Sequence, residues 1–248
     1  MKNTVKCLGV LPLLAAGLSY ADTNANLKIS GDIKPPTCMV NGEEQTNIIY
    51  DMGKLSVDVI PMSNRYIFPE NSKIKNTVTV TCDAETYLLF MATDLYESLN
   101  LPSTPVSPDI AHKYFHINGG KPAALGGVSF LVKDAKVDNN SGYVRRLYNS
   151  IHSTAGLGQY VLTKGEYYGW SKANGESISK NEFMRSLIPG KVFSANFEQE
   201  SMFINSRNDL AKANIELNDE VNYNAEAIIT FNLVFNNKKW DLYFMRGI

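Results

Sequence analysis

Lys73-Ile74-Lys75-Asn76-Thr77-Val78-Thr79-Val80-Thr81-Cys82 alternates almost without a break. Ile74, Val78, Val80 and Cys82 fall on one face of an extended chain, and Lys73, Lys75, Thr77, Thr79 and Thr81 fall on the other. A period of two, rich in β-branched residues, predicts a strand with one buried side. Upstream, Leu27 to Lys34 writes a similar pattern, with Leu27, Ile29 and Ile33 facing one way. Pro35-Pro36 ends it, because proline has no N–H to give to a ladder, and Cys38 follows. Both cysteines are therefore expected at strand ends, with Cys82 pointing inward, where a bridge between them is geometrically feasible. The stretch from Leu27 to Asp94 is a stapled sheet to which the rest of the chain adds.

Residues 1–21 do not read as part of a fold. Lys2 and Lys6 form a short basic region, Leu8 to Leu18 is apolar, and Ser19-Tyr20-Ala21 places small residues where a signal peptidase cuts. The apolar run is too short for a membrane span, and no other stretch approaches one. Export is expected, with the mature chain starting near Asp22 and destined for the periplasm, the cell surface or a fimbrium. Cys7 leaves with the leader, so Cys38 and Cys82 remain, and an exported pair reads as a disulfide. The full chain of 248 residues carries a formal charge of −1, and loss of the two leader lysines makes it slightly more acidic. That balance argues against nucleic acid as a partner. With 13 Tyr and 11 Phe and few long helical patterns, the composition leans all-β.

Between the cysteines, Asn47 to Gly53 reads as a short strand running into a glycine turn. Leu55 to Val59 alternates until Pro61, and Asn64 to Ser72 reads as a surface connection. Tyr87-Leu88-Leu89-Phe90-Met91-Ala92 is a continuous apolar run of strand length, which suits a central strand covered on both faces. The strand at Leu27–Ile33, Pro-Pro-Thr-Cys at 35–38, Asp51-Met52-Gly53, Val78 to Cys82 and a late strand from Ala227 to Phe235 together resemble subunits of chaperone–usher fimbriae. The Pro-Pro-x-Cys start, Thr81-Cys82-Asp83-Ala84 and the long mature chain are similar to secreted fimbrial-like proteins of enterobacteria, a group that includes the periplasmic product of a glutamate-synthase operon. The likeness covers roughly residues 22–94 and 214–235.

That resemblance implies an immunoglobulin-like, pilin-type β-sandwich lacking its last strand, here with a long insertion over about 95–213 inside a domain spanning 22–235. Its partners would be a periplasmic pilus chaperone, an usher and other fimbrial subunits, together with a host or surface receptor. A groove left by a missing strand is filled by β-strand addition. Candidate groove residues are Ile229, Phe231, Leu233 and Phe235 on the late strand. The chain departs from the pattern at both ends. Asp22 to Asn26 is too short and polar to act as a donor arm, and the C-terminus continues past Phe235 through Asn236 to Lys239. In the extension 236–248, Trp240, Leu242, Phe244 and Ile248 alternate on one face, as a groove-filling strand requires. The tail either closes the groove in cis or is an ordinary edge strand or frayed end.

In the middle of the chain, Val128 to Val132 reads as a strand, Asp138 to Gly142 as a turn, and Phe193 to Phe203 as a strand with Phe193, Ala195 and Phe197 on one side. Ser179-Lys180-Asn181-Glu182 is a capping-box pattern, followed by Phe183, Met184, Leu187 and Ile188 on one helical face and a stop at Pro189-Gly190. It is the one helix expected. His112 and His116 have the spacing of a two-histidine metal pair with His152 as a remote third, but there is no HExxH glutamate, and exposed polar histidines are the plainer reading. Arg145-Arg146 and Lys238-Lys239 read as solvated charges. No nucleophile elbow, phosphate loop or dinucleotide fingerprint occurs; Gly156-Leu157-Gly158 is too little.

Tyr160, Tyr167, Tyr168 and Trp170, set between Gly165 and Gly175, could present rigid aromatic surface to a sugar or a protein, or could cover the core. The expectation is thus a non-enzymatic, cofactor-free fimbrial-like structural or adhesion protein, built as a terminal or accessory pilus subunit. The alternative is a monomeric binding module that uses the aromatic loops on a glycan or protein ligand.

Overall fold

The computed structural model describes residues 36–44, 50, 54–70, 73–102, 111–147, 160–177, 179–217 and 220–234, all within one compact unit, Pro35–Ile248. The expected leader, the strand at 27–34, the turn at 51–53, His152 and the tail from Phe235 onward lie outside the described residues. In chain order the first strands are β1 (Cys38–Val40), β2 (Leu55–Ser56), β3 (Tyr66–Ile67), β4 (Lys75–Asp94), β5 (Phe115–Asn118), β6 (Gly126–Val137) and β7 (Asn140–Ser141). Then come β8 (Tyr143–Leu147), β9 (Tyr167–Ser171), β10 (Glu176–Ser177), helix α1 (Lys180–Ser186), β11 (Gly190–Ile204), helix α2 (Arg207–Lys212), β12 (Glu220–Val221), β13 (Asn224–Ala225) and β14 (Ala227–Val234).

Strand β4 organises the molecule. Its inward residues Val78, Val80 and Cys82 are buried beside exposed Lys75, Thr77 and Thr81, as the alternation requires. It does not stop at Cys82. Twenty residues run on through exposed Asp83-Ala84-Glu85 into the apolar segment at 87–92, so Cys82 lies inside the strand and not at its end. The polar interval marks a change of partners. The first half pairs with β1 and β11, and the second half with β14 and β9. A one-strand periodicity cannot show that exchange, which is why the two halves read as separate strands.

Twelve of these strands join in one sheet, through which the path β10-β8-β9-β4-β11-β6-β5-β13 runs, while β2 and β12 form a separate pair. Pairings are antiparallel apart from the short contact of β8 with β10. Residues 95–213, expected as an insertion, supply β11, which lies beside β4 in the path, and β6, which lies beside β11. Phe193, Ala195 and Phe197 on β11 are 0%, 1% and 2% exposed, as their alternation predicts. The sheet curls over on itself. Trp170 on β9 donates its Nε1–H to Ser194 O on β11 at 2.9 Å, and the Phe90 ring lies 5.2–6.0 Å from those of Tyr168, Trp170, Phe197 and Phe231. The two halves of β4 thereby share a core.

Local chemistry sets the turns and bends. Asp138 and Asn139 have φ of 48° and 67°, the two left-handed residues of a type I′ hairpin turn between β6 and β7. The Asp138 carboxylate accepts from the Lys191 and Val192 amides at 3.0 and 2.8 Å, holding the irregularity where β11 meets β4. Gly190 is needed there because a Cβ would run into Val137 Cγ1. A further left-handed residue, Asp134 (φ 51°), sits where the β6–β11 register slips.

Helix α1 forms as its sequence predicts. Ser179 caps it and accepts from the Glu182 amide, and Phe183 is buried. It covers the outer face of the sheet through Phe183 and Leu187 against Leu89 and Val234, so the run at 87–92 is indeed covered on both sides. The expectation of one helix is corrected by α2, capped by Ser206, whose hydroxyl accepts from the Asp209 amide at 3.1 Å and donates to its carboxylate at 2.7 Å. Two further corrections are small. Leu55–Val59 is a two-residue strand followed by a 3-10 turn, because Ser56 caps Val57–Val59. The expected connection at 64–72 contains β3, which pairs with β11 at Phe203 and Ile204. The fold is all-β with two short helices among the described residues.

Candidate functional site

Strand β14 pairs antiparallel with β4 from Ala227 opposite Asp94 to Val234 opposite Tyr87. Among the described residues β4 is its only strand partner. The consequence shows in burial. Ile229, Phe231 and Leu233 pack against the core yet are only half-buried, whereas Leu88, Phe90 and Ala92 on β4 are 1%, 0% and 0% exposed. Among the described residues, strand β4 has neighbours along both edges, and β14 along one. The other edge carries backbone donors and acceptors in strand geometry, next to apolar side chains left partly uncovered, an arrangement suited to accepting another strand. Ile229, Phe231 and Leu233 are thus brought together on one core-facing row. Phe235, Trp240, Leu242, Phe244 and Ile248 fall outside the described residues.

Cys38 and Cys82 form a disulfide between directly opposed residues of β1 and β4. It pins the register of this three-residue strand together with the hydrogen bonds on either side. The Thr37 amide donates to the Asp83 carboxylate at 2.9 Å, and the Thr79 amide to Asn41 Oδ1 at 2.8 Å, on either side of the bridge.

The four aromatic candidates do not gather on one exposed surface. Tyr168 and Trp170 lie on β9, not on a loop, at 0% and 1% exposure. The Tyr168 hydroxyl accepts from the Thr163 amide at 2.7 Å and donates to Val161 O at 2.9 Å. Burial pushes its phenol well above the ordinary range, with Arg146 pulling the other way. Tyr167 is half-buried at the start of β9, and half-buried Tyr160 accepts from the Val132 amide through its carbonyl at 2.7 Å. Alternation along β9 divides the set between faces, a division hidden as long as the segment reads as a loop.

His116 sits on β5, half-buried. Its Nδ1 lies 3.0 Å from Tyr96 O, and its backbone amide donates to Asp94 Oδ2 at 2.9 Å. The Asp94 carboxylate also meets Lys164 Nζ at 3.3 Å, so a carboxylate, an ammonium and an imidazole converge at this end of the sheet. His112 contributes a carbonyl to the Lys164 amide at 3.0 Å. No group of three or more His, Cys, Asp or Glu side chains is placed to hold a metal among the described residues. The cluster joins residues from three separated segments and left no local signal in the sequence.

Arg145 and Arg146 are the clearest correction. They are 6% and 0% exposed, not solvated. Strand β8 sets Arg146 opposite Tyr168 of β9, pointing inward. Its guanidinium bonds to Thr163 Oγ1 at 2.8 Å and forms an ion pair with Glu176. Arg145 reaches the Glu176 carbonyl at 3.2 Å and Glu182 Oε1 at 2.5 Å. Hydrogen bonding to Arg145 holds the Glu182 carboxyl below the usual carboxylate range. Two adjacent arginines thus tie β10 and α1 to β8. The burial of a charge depends on acids distant in sequence, which a dipeptide cannot announce. No family model, no curated protein and no solved structure matches the chain.

Proposed function

We propose that this chain is an exported, non-enzymatic fimbrial-like protein whose sheet is completed by strand addition at the outer edge of β14. One observation carries the reading: β14 is paired along one edge among the described residues, and its core-facing Ile229, Phe231 and Leu233 are left half-buried. An edge of that kind is an aggregation hazard unless something covers it. A periplasmic chaperone strand followed by a strand from another subunit would do so, and the protein would then act as a terminal or accessory pilus component at the cell surface. An immunoglobulin-like, pilin-type sandwich is the fold this reading implies. The disulfide between β1 and β4 agrees with an oxidising compartment. The same edge is where the tail from Trp240 to Ile248 would lie if it closes the sheet in cis.

Expression of the mature chain in the periplasm, with and without a fimbrial chaperone, tests the reading. Recovery only as a one-to-one complex supports assembly. A chain that is a stable monomer alone, and remains so after deletion of residues 237–248, overturns strand addition in trans and in cis alike. Tyr168 and Trp170 are buried, so a ligand surface in the aromatic segment would rest on the half-buried Tyr160 and Tyr167.

A further inference from the structure

Away from the outer edge of β14, one buried pair of opposite charges stands close enough to react. Lys164 Nζ lies 3.3 Å from Asp94 Oδ2, with the two side chains 7% and 0% exposed, and Glu97 Oε1 lies 3.7 Å from the same nitrogen. We propose that Lys164 and Asp94 condense into an intramolecular isopeptide bond, with Glu97 carrying a proton between them. Burial favours the product. A buried ion pair forfeits the hydration of two charges, and a neutral amide in its place leaves none to desolvate. The same burial keeps water from the Asp94 carboxyl group and so slows hydrolysis in the reverse direction.

Backbone contacts hold the two groups together before any bond forms. Asp94 ends β4, opposite Ala227 of β14. Lys164 lies in the segment before β9, where its own amide donates to His112 O at 3.0 Å and the Gly165 amide to Ala92 O at 2.9 Å. The carboxylate is fixed by the Tyr96 amide on Oδ1 at 3.0 Å and by the His116 amide on Oδ2 at 2.9 Å. His116 Nδ1 stands 3.0 Å from Tyr96 O and braces that turn. The reaction needs no outside reagent. The ammonium passes one proton to Oδ2, and the neutral amine attacks Cγ. The C=O π electrons move onto Oδ1, where the Tyr96 N–H holds the negative charge. Glu97 takes a second proton from the newly bonded nitrogen and delivers it to Oδ2. The Cγ–Oδ2 bond then breaks, water leaves past the exposed Glu97, and Oδ1 is again a carbonyl oxygen. One carboxylate and one ammonium have become an amide and a water, and Glu97 has its charge back.

Intact-mass spectrometry of the purified protein, followed by peptide mapping, is the test. The expected mass is that of the disulfide-bonded chain less one water, with a branched peptide joining Asp94 to Lys164. Lys164→Arg keeps the positive charge but loses the nucleophile, and should restore the full mass. Glu97→Gln, a change at an exposed side chain, should form the bond roughly a hundredfold more slowly in pulse-labelled chains. A wild-type protein of full mass overturns the proposal. So does a water deficit that persists in Lys164→Arg, as an aspartyl succinimide would leave, or a rate unchanged in Glu97→Gln.

Discussion

Arg146 is a cation with no exposed surface, held by Glu176 and by the Thr163 hydroxyl. Desolvating a guanidinium is tolerable only while those partners remain. Glu176→Gln leaves the charge buried with a weaker partner and should lower stability by roughly 3 kcal/mol, read as a fall in urea midpoint at unchanged slope. Tyr50 makes a second residue-level test. Its hydroxyl donates to Phe197 O at 2.8 Å, and burial pushes its phenol up to about 12. The unfolded phenol ionises near 10, so this group's contribution to stability is fully present below pH 10 and is lost as pH rises toward 12. The loss reaches about 2–3 kcal/mol. Tyr50→Phe should flatten the alkaline limb of the stability curve, measured by denaturant unfolding across that pH window. These residues were poorly legible in the sequence. Arg145-Arg146 looks like solvated charge because its acids lie some thirty residues on, at Glu176 and Glu182.

Elements were easier to read where their pattern is local. Helix α1 is written out by Ser179, Glu182, Phe183 and Leu187, and forms where they place it. Its seat was not written out. A Cβ on Gly169 would lie 2.5 Å from Leu187 Cδ2 and 2.7 Å from Leu89 Cδ2, so the helix rests on a strand position that only glycine leaves open. Gly169→Ala should cost about 1–3 kcal/mol by overpacking, and less in a Leu187→Ala background; a double-mutant cycle on unfolding free energies reads the coupling. The Arg145–Glu182 pair gives α1 a pH dependence. Because the folded carboxyl titrates below its unfolded value, the pair's contribution is complete above the ordinary carboxylate range and fades as pH falls through the lowered folded value. The amide protection factors of α1, referred to the intrinsic exchange rate at each pH, should fall on acidification in the wild type and much less in Glu182→Gln. Strand β4 shows the limit of periodicity: each half alternates legibly, and the exchange of partners at 83–86 depends on strands more than a hundred residues away.

At the scale of the whole molecule, the sheet brings the middle of the chain beside its beginning and end. β11 lies between β4 and β6, so this part of the middle of the chain sits inside the large sheet. Strand content and the cysteine pair were legible because alternation and a leader-like pattern are written in short stretches. Sheet order was not, because it follows from which apolar faces fit together. The disulfide closes a separation of 44 residues, and its reduction should remove about 4 kcal/mol on the chain-entropy account, seen as a lower melting temperature under reductant. The central claim concerns the outer edge of β14, and amide hydrogen exchange reads that edge directly. In the isolated chain lacking residues 237–248, the β14 amides facing away from β4 should exchange freely while those facing β4 are protected. A chaperone should then protect both sets. Equal protection of both sets in the isolated truncated chain would contradict the account.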